Sequence, residues 1–191
     1  RLFVHQKIHD KVVEGIAAIA KSMKLGPGLD PSSEFGPLIS AKQRDRVAGF
    51  VDAGKREGGE LVCGGTSPNR PGYFFEPTVL THMSSEMTPV KNEIFGPVLC
   101  VQTFGDDDLD RIAREANSTI YGLSGSVWTR DLGIAMQMVR KIDSGQVSVN
   151  MHAAIDPAMP FGGNKQSGWG REFGKEGLEP YLKTKGISMT W

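Results

Sequence analysis

The sequence predicts an α/β domain, with parallel strands in one sheet and helices on both faces. Three observations support this. The hydrophobic period switches repeatedly between two and about 3.6 residues, the mark of alternating strands and helices. Residues 97–150 read β-α-β-α-β with short connections, and right-handed crossovers make such strands parallel. The 191 residues are 39% hydrophobic and 23% charged, the balance of an ordinary globular chain. A chain of this size buries roughly 70% of the surface its unfolded form exposes.

Taken in order, LFV at 2–4 reads as a strand. From His9 to Lys24 the residues Val12, Val13, Ile16, Ile19, Ala20 and Met23 share one helical face, and Gly26-Pro27-Gly28 stops that helix. Ser40 precedes Gln43 by three positions, a capping box that starts a helix running to about Glu57. ELVCGG at 60–65 is a strand with a turn after it, and YFFEPTVL at 73–80 is extended. The apolar half of KNEIFGPVLCVQTF (91–104) suits a buried strand. Leu109, Ile112, Ala113 and Ala116 then mark a helix from Asp106 to Asn117, and LSGSVWT at 123–129 a strand. A helix from Asp131 to Asp143 ends before Gly145, and QVSVN at 146–150 is the next strand. A short helical stretch near 174–182 precedes ISMTW at 187–191, which alternates like a half-buried strand and needs an edge to pair with.

Several function classes are disfavoured. Lys plus Arg equals Asp plus Glu at 22 each, so no electrostatic pull toward nucleic acid or an anionic membrane is expected. Apolar runs such as VLCV at 98–101 are too short to span a bilayer. Two cysteines without a CxxC pair make no disulfide framework, so a reducing cytoplasm is the expected compartment. The chain opens on RLFVHQ, a strand-like run without Met, and so reads as a piece of a longer protein.

The run PFGGNKQSGWGREFG at 160–174, five glycines in fifteen residues, invites a phosphate-cradle reading. Lys165 lacks the G-x-x-x-x-G-K-[ST] frame, and Gly168, Gly170 and Gly174 miss the G-x-G-x-x-G spacing. Only 17 residues follow Gly174, too few for the βαβ unit a dinucleotide fingerprint requires. The phosphate reading therefore fails. No metal site is expected: His5, His9, His82 and His152 form no HExxH and no Cys/His cluster, and His5 and His9 read as surface or strand-end residues. Cys63 and Cys100 lie in apolar strand-like runs, where a cysteine is usually a small core hydrophobe rather than a nucleophile. Glu93, in a turn before a buried strand, is either a solvated charge or a bidentate acceptor for two ribose hydroxyls, and the residues alone leave both open.

NEIFGPV at 92–98 together with PFGGNKQSGWGREFG strongly resembles the NAD(P)-dependent aldehyde dehydrogenase superfamily. SxxEFGPLIS at 32–40, GGELVCGG at 58–65, GYFFEPTVL at 72–80, ANSTIYGLSGSVWT at 116–129 and SGQVSVN at 144–150 follow in family order, so the resemblance covers essentially the whole chain. It implies that Glu93 binds the hydroxyls of the nicotinamide ribose and that Phe95 packs near the nicotinamide. It also implies a ribose contact for Gln43, aldehyde-entrance positions for Phe161 and Ile155, and for Glu172 the proton relay of some members. For Glu172, pairing with Arg171 or a local cap is an almost equal alternative.

The family's cysteine nucleophile, glutamate base and oxyanion-hole asparagine, with the dinucleotide-binding fold, lie upstream of the segment that resembles RLFVH. The resemblance thus implies the C-terminal portion of an enzyme that oxidises an aldehyde to a carboxylic acid through a cysteine thioester. It implies a catalytic-domain portion at 1–177 and an oligomerisation arm at 178–191, whose strand joins a neighbouring subunit of a dimer or tetramer. The cofactor is NAD or NADP, and the chain alone is expected to be inactive. MHAAIDPAMPFGG, with Phe161, Ile155 and Met159, resembles members acting on aryl or medium-chain aldehydes, such as phenylacetaldehyde dehydrogenases. The alternative is a non-catalytic α/β module for assembly or ligand binding.

Overall fold

A computed structural model describes residues 1–106, 108–152 and 154–191. They fall into two compact units, Arg1–Asp108 and Leu109–Trp191.

The first unit is built on a four-stranded sheet of β1 (Leu2–His5), β2 (Glu60–Cys63), β3 (Thr78–Thr81) and β4 (Val98–Phe104), in the order β1-β4-β3-β2. β4 runs parallel to both β1 and β3, with Leu2 opposite Val101 and Thr78 opposite Val98. β2 is an antiparallel edge strand whose register shifts between Leu61 and Cys63. Helices α1 (His9–Ser22), α2 (Ala41–Arg56) and the single turn α3 (Thr88–Lys91) complete the unit.

Two cores result. α1 buries Val13 and Ala17 against Val4, Cys63, Val79 and Val101. α2 buries Val47 and Val51 against Phe75, Leu80, Met83, Val90, Ile94 and Cys100. The helix start at Ser40 is as the capping motif predicts, since the Ser40 hydroxyl accepts the Gln43 N–H at 3.2 Å. α3 takes its N-terminal hydrogen bonds from the end of α2, where the Glu57 carboxylate accepts from the Thr88 N–H and hydroxyl, both at 2.6 Å. On α1, Ile19 is exposed rather than inward.

The second unit contains α4 (Leu109–Ala116), α5 (Leu132–Lys141) and two short ladders. β6 (Ser124–Val127) pairs in parallel with β7 (Gln146–Val149), and β5 (Tyr121–Gly122) pairs antiparallel with β8 (Asn164–Lys165). The expectation that residues 97–150 place all their strands in one sheet is therefore corrected. β4 has β1 on one side and β3 on the other, while β6 and β7 form a separate two-stranded ladder. The β-α-β order is nonetheless real at β6-α5-β7. The Asp131 carboxylate caps α5 by accepting the Ile134 N–H at 2.9 Å.

Two further corrections concern the histidines and the tail. His9 is 8% exposed, not a surface residue, because its Nε2 meets the Thr81 hydroxyl at 2.7 Å on β3 and its Nδ1 meets Asp10 at 2.8 Å. The stretch expected to be helical near 174–182 holds only turns and a 3-10 turn at Glu179–Tyr181. Residues 182–191 carry no strand in this chain, and Ile187, Met189 and Trp191 are all exposed.

Candidate functional site

In the first unit the residues 93–96 lie along one face of α2, and each is fixed by a different device. Ile94 points into the core and is 7% exposed. Gly96 sits so close to Val47 that a Cβ added there would run into the Val47 methyls. The carbonyls of Glu93, Ile94 and Phe95 are all held from α2. Gln43 donates from Nε2 to the Ile94 carbonyl at 3.0 Å and the Phe95 carbonyl at 2.8 Å. Arg46 donates from Nη1 to the Ile94 carbonyl at 2.6 Å and from Nη2 to the Glu93 carbonyl at 2.9 Å. Its guanidinium lies over the Phe50 ring, 4.7 Å from the centroid.

This clamp supports an unfavourable backbone. Phe95 adopts φ +53°, the left-handed region, which costs a non-glycine residue roughly 1–2 kcal/mol. Such strain persists where the surroundings over-determine the conformation. Its result here is a phenyl ring that is 74% exposed. Beside it Glu93 is half-buried, and among the described residues its carboxylate makes no hydrogen bond or ion pair. A carboxylate with all its lone pairs available can accept from two neighbouring hydroxyls at once.

The structure thus brings together Glu93, Phe95 and Gln43. It also gives Gln43 a duty the capping motif did not foretell. In a full capping box the Gln43 side chain would turn back to the Ser40 N–H. Here it reaches across to the 94–95 peptides. Arg46 was not singled out in the sequence, although it lies three positions after Gln43 and so on the same helical face.

In the second unit Phe161 and Glu172 form an antiparallel bridge, exchanging N–H···O bonds of 2.8 Å and 2.7 Å. They are therefore direct cross-strand neighbours, with Phe161 half-buried and Glu172 exposed. Among the described residues Arg171 makes no bond to the Glu172 carboxylate. The Arg171 guanidinium donates instead to the carbonyls of Gly163 (2.8 Å) and Gly170 (2.9 Å) and to Asn164 Oδ1 (2.7 Å). Lys165 is likewise engaged within the fold, on the carbonyls of Asn117 (2.9 Å) and Thr119 (3.3 Å), with Asp143 at 3.6 Å. Both cations of the glycine-rich run are internal cross-links.

The glycines serve close packing. A Cβ at Gly162 would meet the Gly170 carbonyl, and one at Gly163 would lie 2.5 Å from Ser167 backbone atoms. Ile155 is 53% exposed on the adjoining loop, which is tied to the run where the Gly174 N–H donates to the Pro157 carbonyl at 3.0 Å.

The cysteines behave as core residues. Both are buried, and burial pushes the Cys100 thiol up from its ordinary value. Neither has the solvent exposure a nucleophilic thiol needs.

Residues 1–187 match the Aldehyde dehydrogenase family, and the chain belongs to that family. It is 41% identical over all 191 residues to the cytosolic 10-formyltetrahydrofolate dehydrogenase of Xenopus laevis, covering 21% of that protein. It is 40% identical over 187 residues to the putative aldehyde dehydrogenase DhaS of Bacillus subtilis (strain 168), covering 98% of this chain and 37% of that one. Among solved structures, the betaine aldehyde dehydrogenase of Staphylococcus aureus in complex with NAD+ superposes with a TM-score of 0.89 at 40% identity, covering 96% of this chain and 37% of that one. The NAD+ complex of an aldehyde dehydrogenase from Bacillus cereus gives 0.89 at 40% identity, covering 95% and 36%. The chain therefore spans about a fifth to under two-fifths of the length of the proteins it matches.

Proposed function

We propose that this chain is the C-terminal portion of an NAD(P)-dependent aldehyde dehydrogenase that oxidises an aldehyde to a carboxylic acid through a cysteine thioester. The observation that carries the reading is the clamped Glu93–Ile94–Phe95 segment, with its free carboxylate and outward ring, in a chain of this family. The carboxylate and ring suit a nicotinamide riboside: Glu93 accepts the ribose hydroxyls, Phe95 packs at the nicotinamide end, and the open Oε1 of Gln43 adds a polar contact to the ribose. NAD or NADP, when bound, supplies the hydride acceptor.

On the substrate side, Phe161 and Ile155 wall the aldehyde's approach, with Met159 extending the apolar surface toward aryl or medium-chain aldehydes. Glu172, opposite Phe161 and without a cationic partner of its own in the run, passes protons to solvent. The nucleophile lies outside these residues, since Cys63 and Cys100 are buried core side chains. Residues 178–191 form an arm whose exposed Ile187, Met189 and Trp191 add to a neighbouring subunit's sheet in a homo-oligomer. Two unpaired thiols suit a reducing compartment such as the cytoplasm, and relatives named as cytosolic and as mitochondrial both occur. No helix among the described residues is long and apolar enough to cross a membrane.

The test compares the 191-residue chain with a full-length protein that contains it, each mixed with NAD or NADP and phenylacetaldehyde, while NADH or NADPH absorbance is followed. The full-length protein is expected to turn over and the chain alone to show none. Turnover by the chain alone would contradict the placement of the nucleophile. A full-length protein inert toward every aldehyde and both cofactors would instead favour a non-catalytic assembly or ligand-binding module.

A further inference from the structure

We infer that Arg46 is a positioning residue for the Glu93 carboxylate that accepts the cofactor's ribose hydroxyls. It acts through the backbone of Glu93 and Ile94, an inference that rests on the reading of Glu93 given above. The Glu93 carboxylate has no partner among the described residues to orient it, so its direction is set by the peptide planes on either side. The plane that follows it, 93–94, is held by Arg46, whose two η nitrogens fork across the Glu93 carbonyl at 2.9 Å and the next carbonyl, of Ile94, at 2.6 Å. A planar guanidinium fixes the angle between two acceptors as well as their distance, which a point-like ammonium cannot do. Phe50, one turn further along α2, lies beneath the guanidinium and limits its rotamers.

The neighbouring residues show why such a fork is needed. Ile94 is anchored in the core and Gly96 abuts Val47, so the segment is fixed at two points with the left-handed Phe95 between them. Rotation of the flanking peptides is the route by which that strained residue would relax. Gln43 holds both peptides that flank Phe95, while Arg46 shares the 94–95 carbonyl and alone holds the 93–94 peptide next to Glu93. Without Arg46 the Glu93 carbonyl loses its only described hydrogen bond, and the carboxylate samples directions that no longer meet two ribose hydroxyls together. The aldehyde-side residues Phe161 and Glu172 have no part in the clamp.

The experiment uses a full-length protein containing this segment, as wild type, Arg46→Met and Arg46→Lys. NADH binding by fluorescence, the KM for an aldehyde, thermal midpoint and hydrogen–deuterium exchange of the peptide 92–97 are measured on each. Arg46→Met is expected to weaken NADH binding about tenfold, the scale of a lost charge-assisted hydrogen bond, with the aldehyde KM unchanged to within about twofold. Exchange in 92–97 should quicken, and Arg46→Lys should fall between the other two in both readouts. NADH affinity within about twofold of wild type in a folded Arg46→Met overturns the inference, as does equal loss of cofactor and aldehyde affinity alongside a lowered thermal midpoint. If Arg46→Met does not fold, Arg46→Lys decides, and wild-type NADH affinity in that variant overturns the inference. A wild-type protein that fails to bind NADH removes the functional reading itself, and this inference with it.

Discussion

The seam between α2 and residues 93–96 can be tested by adding one methyl group. In Gly96→Ala the new Cβ would collide with one Val47 methyl and lie 3.0 Å from the other, against an ordinary contact of 3.4–4 Å. Val47 cannot turn away, because it is β-branched and 0% exposed. Either α2 or the 93–96 segment must then retreat, and a shift of about 1 Å would take the bonds of Gln43 and Arg46, now 2.6–3.0 Å, beyond hydrogen-bonding range. Overpacking of this kind costs about 1–3 kcal/mol. With a urea slope of about 1–2 kcal/mol per M for a unit of this size, the midpoint should fall by about 0.5–2 M.

Val47→Ala alone should cost about 2–3 kcal/mol, from two lost methyls and the cavity they leave. It also makes room for the methyl that Gly96→Ala adds. The double variant should therefore lose about 1–2 kcal/mol less than the sum of the singles, as read by urea unfolding at matched slope. Additivity within about 0.5 kcal/mol would refute the contact and with it the packing that seats the clamp.

Three further outcomes follow from the same geometry. Asp106, Asp110 and Glu57 all sit below the usual carboxylate range, held there by hydrogen bonds from Lys7 and His5, from Lys141, and from Thr88 respectively. A depressed carboxylate stabilises the fold above its unfolded value and loses that contribution as pH falls through the folded one, so the urea midpoint should be flat from about pH 7 to 5 and drop below about pH 4. A midpoint unchanged down to about pH 3 would contradict these pairings. Lys165→Met should destabilise the second unit by about 1–3 kcal/mol by removing the charge-assisted bond to the Asn117 carbonyl, and pyrophosphate should not raise the thermal midpoint of the parent chain. A pyrophosphate-induced rise lost in Lys165→Met would restore the phosphate cradle. Cys63 and Cys100 should resist a thiol reagent in the folded chain and react together on unfolding, whereas fast native labelling of either would place it outside the core.

Local signals placed α2 and α5 but not the helix expected near 174–182. The hydroxyl of Ser40 and the carboxylate of Asp131 start α2 and α5 where the capping residues stand. The glycine-rich run was legible by elimination, because motif spacing excluded phosphate and left tight packing, which Gly162 and Gly163 show. Pairing between distant strands was not legible. Nothing within 97–150 shows that β4 is enclosed by β1 and β3, since both partners lie upstream in sequence. β5 and β8 are two residues each, below the length at which a period can be read. His9 looked like a surface residue because its partner Thr81 is 72 positions away.

At the candidate site, motif resemblance pointed to Glu93, Phe95 and Gln43, and the fold gathered them. The role of the Gln43 amide and the presence of Arg46 were hidden, because both act on backbone carbonyls, and carbonyls leave no mark in a residue pattern. ISMTW shows the opposite case. Its alternation is plain in the sequence, yet a strand needs an edge as well as a pattern.

The account rests most heavily on Glu93 as the acceptor of the cofactor's ribose hydroxyls, and one dissociation constant tests that. NADH is titrated by fluorescence into a full-length protein containing this segment, as wild type and as Glu93→Gln. The substitution keeps the shape of a side chain that has no protein partner among the described residues, so the thermal midpoint should not move. Exchanging a charged acceptor for a neutral amide should weaken NADH binding by about 1.5–3 kcal/mol, or roughly 10- to 150-fold. Equal affinity in the two proteins would contradict the central claim.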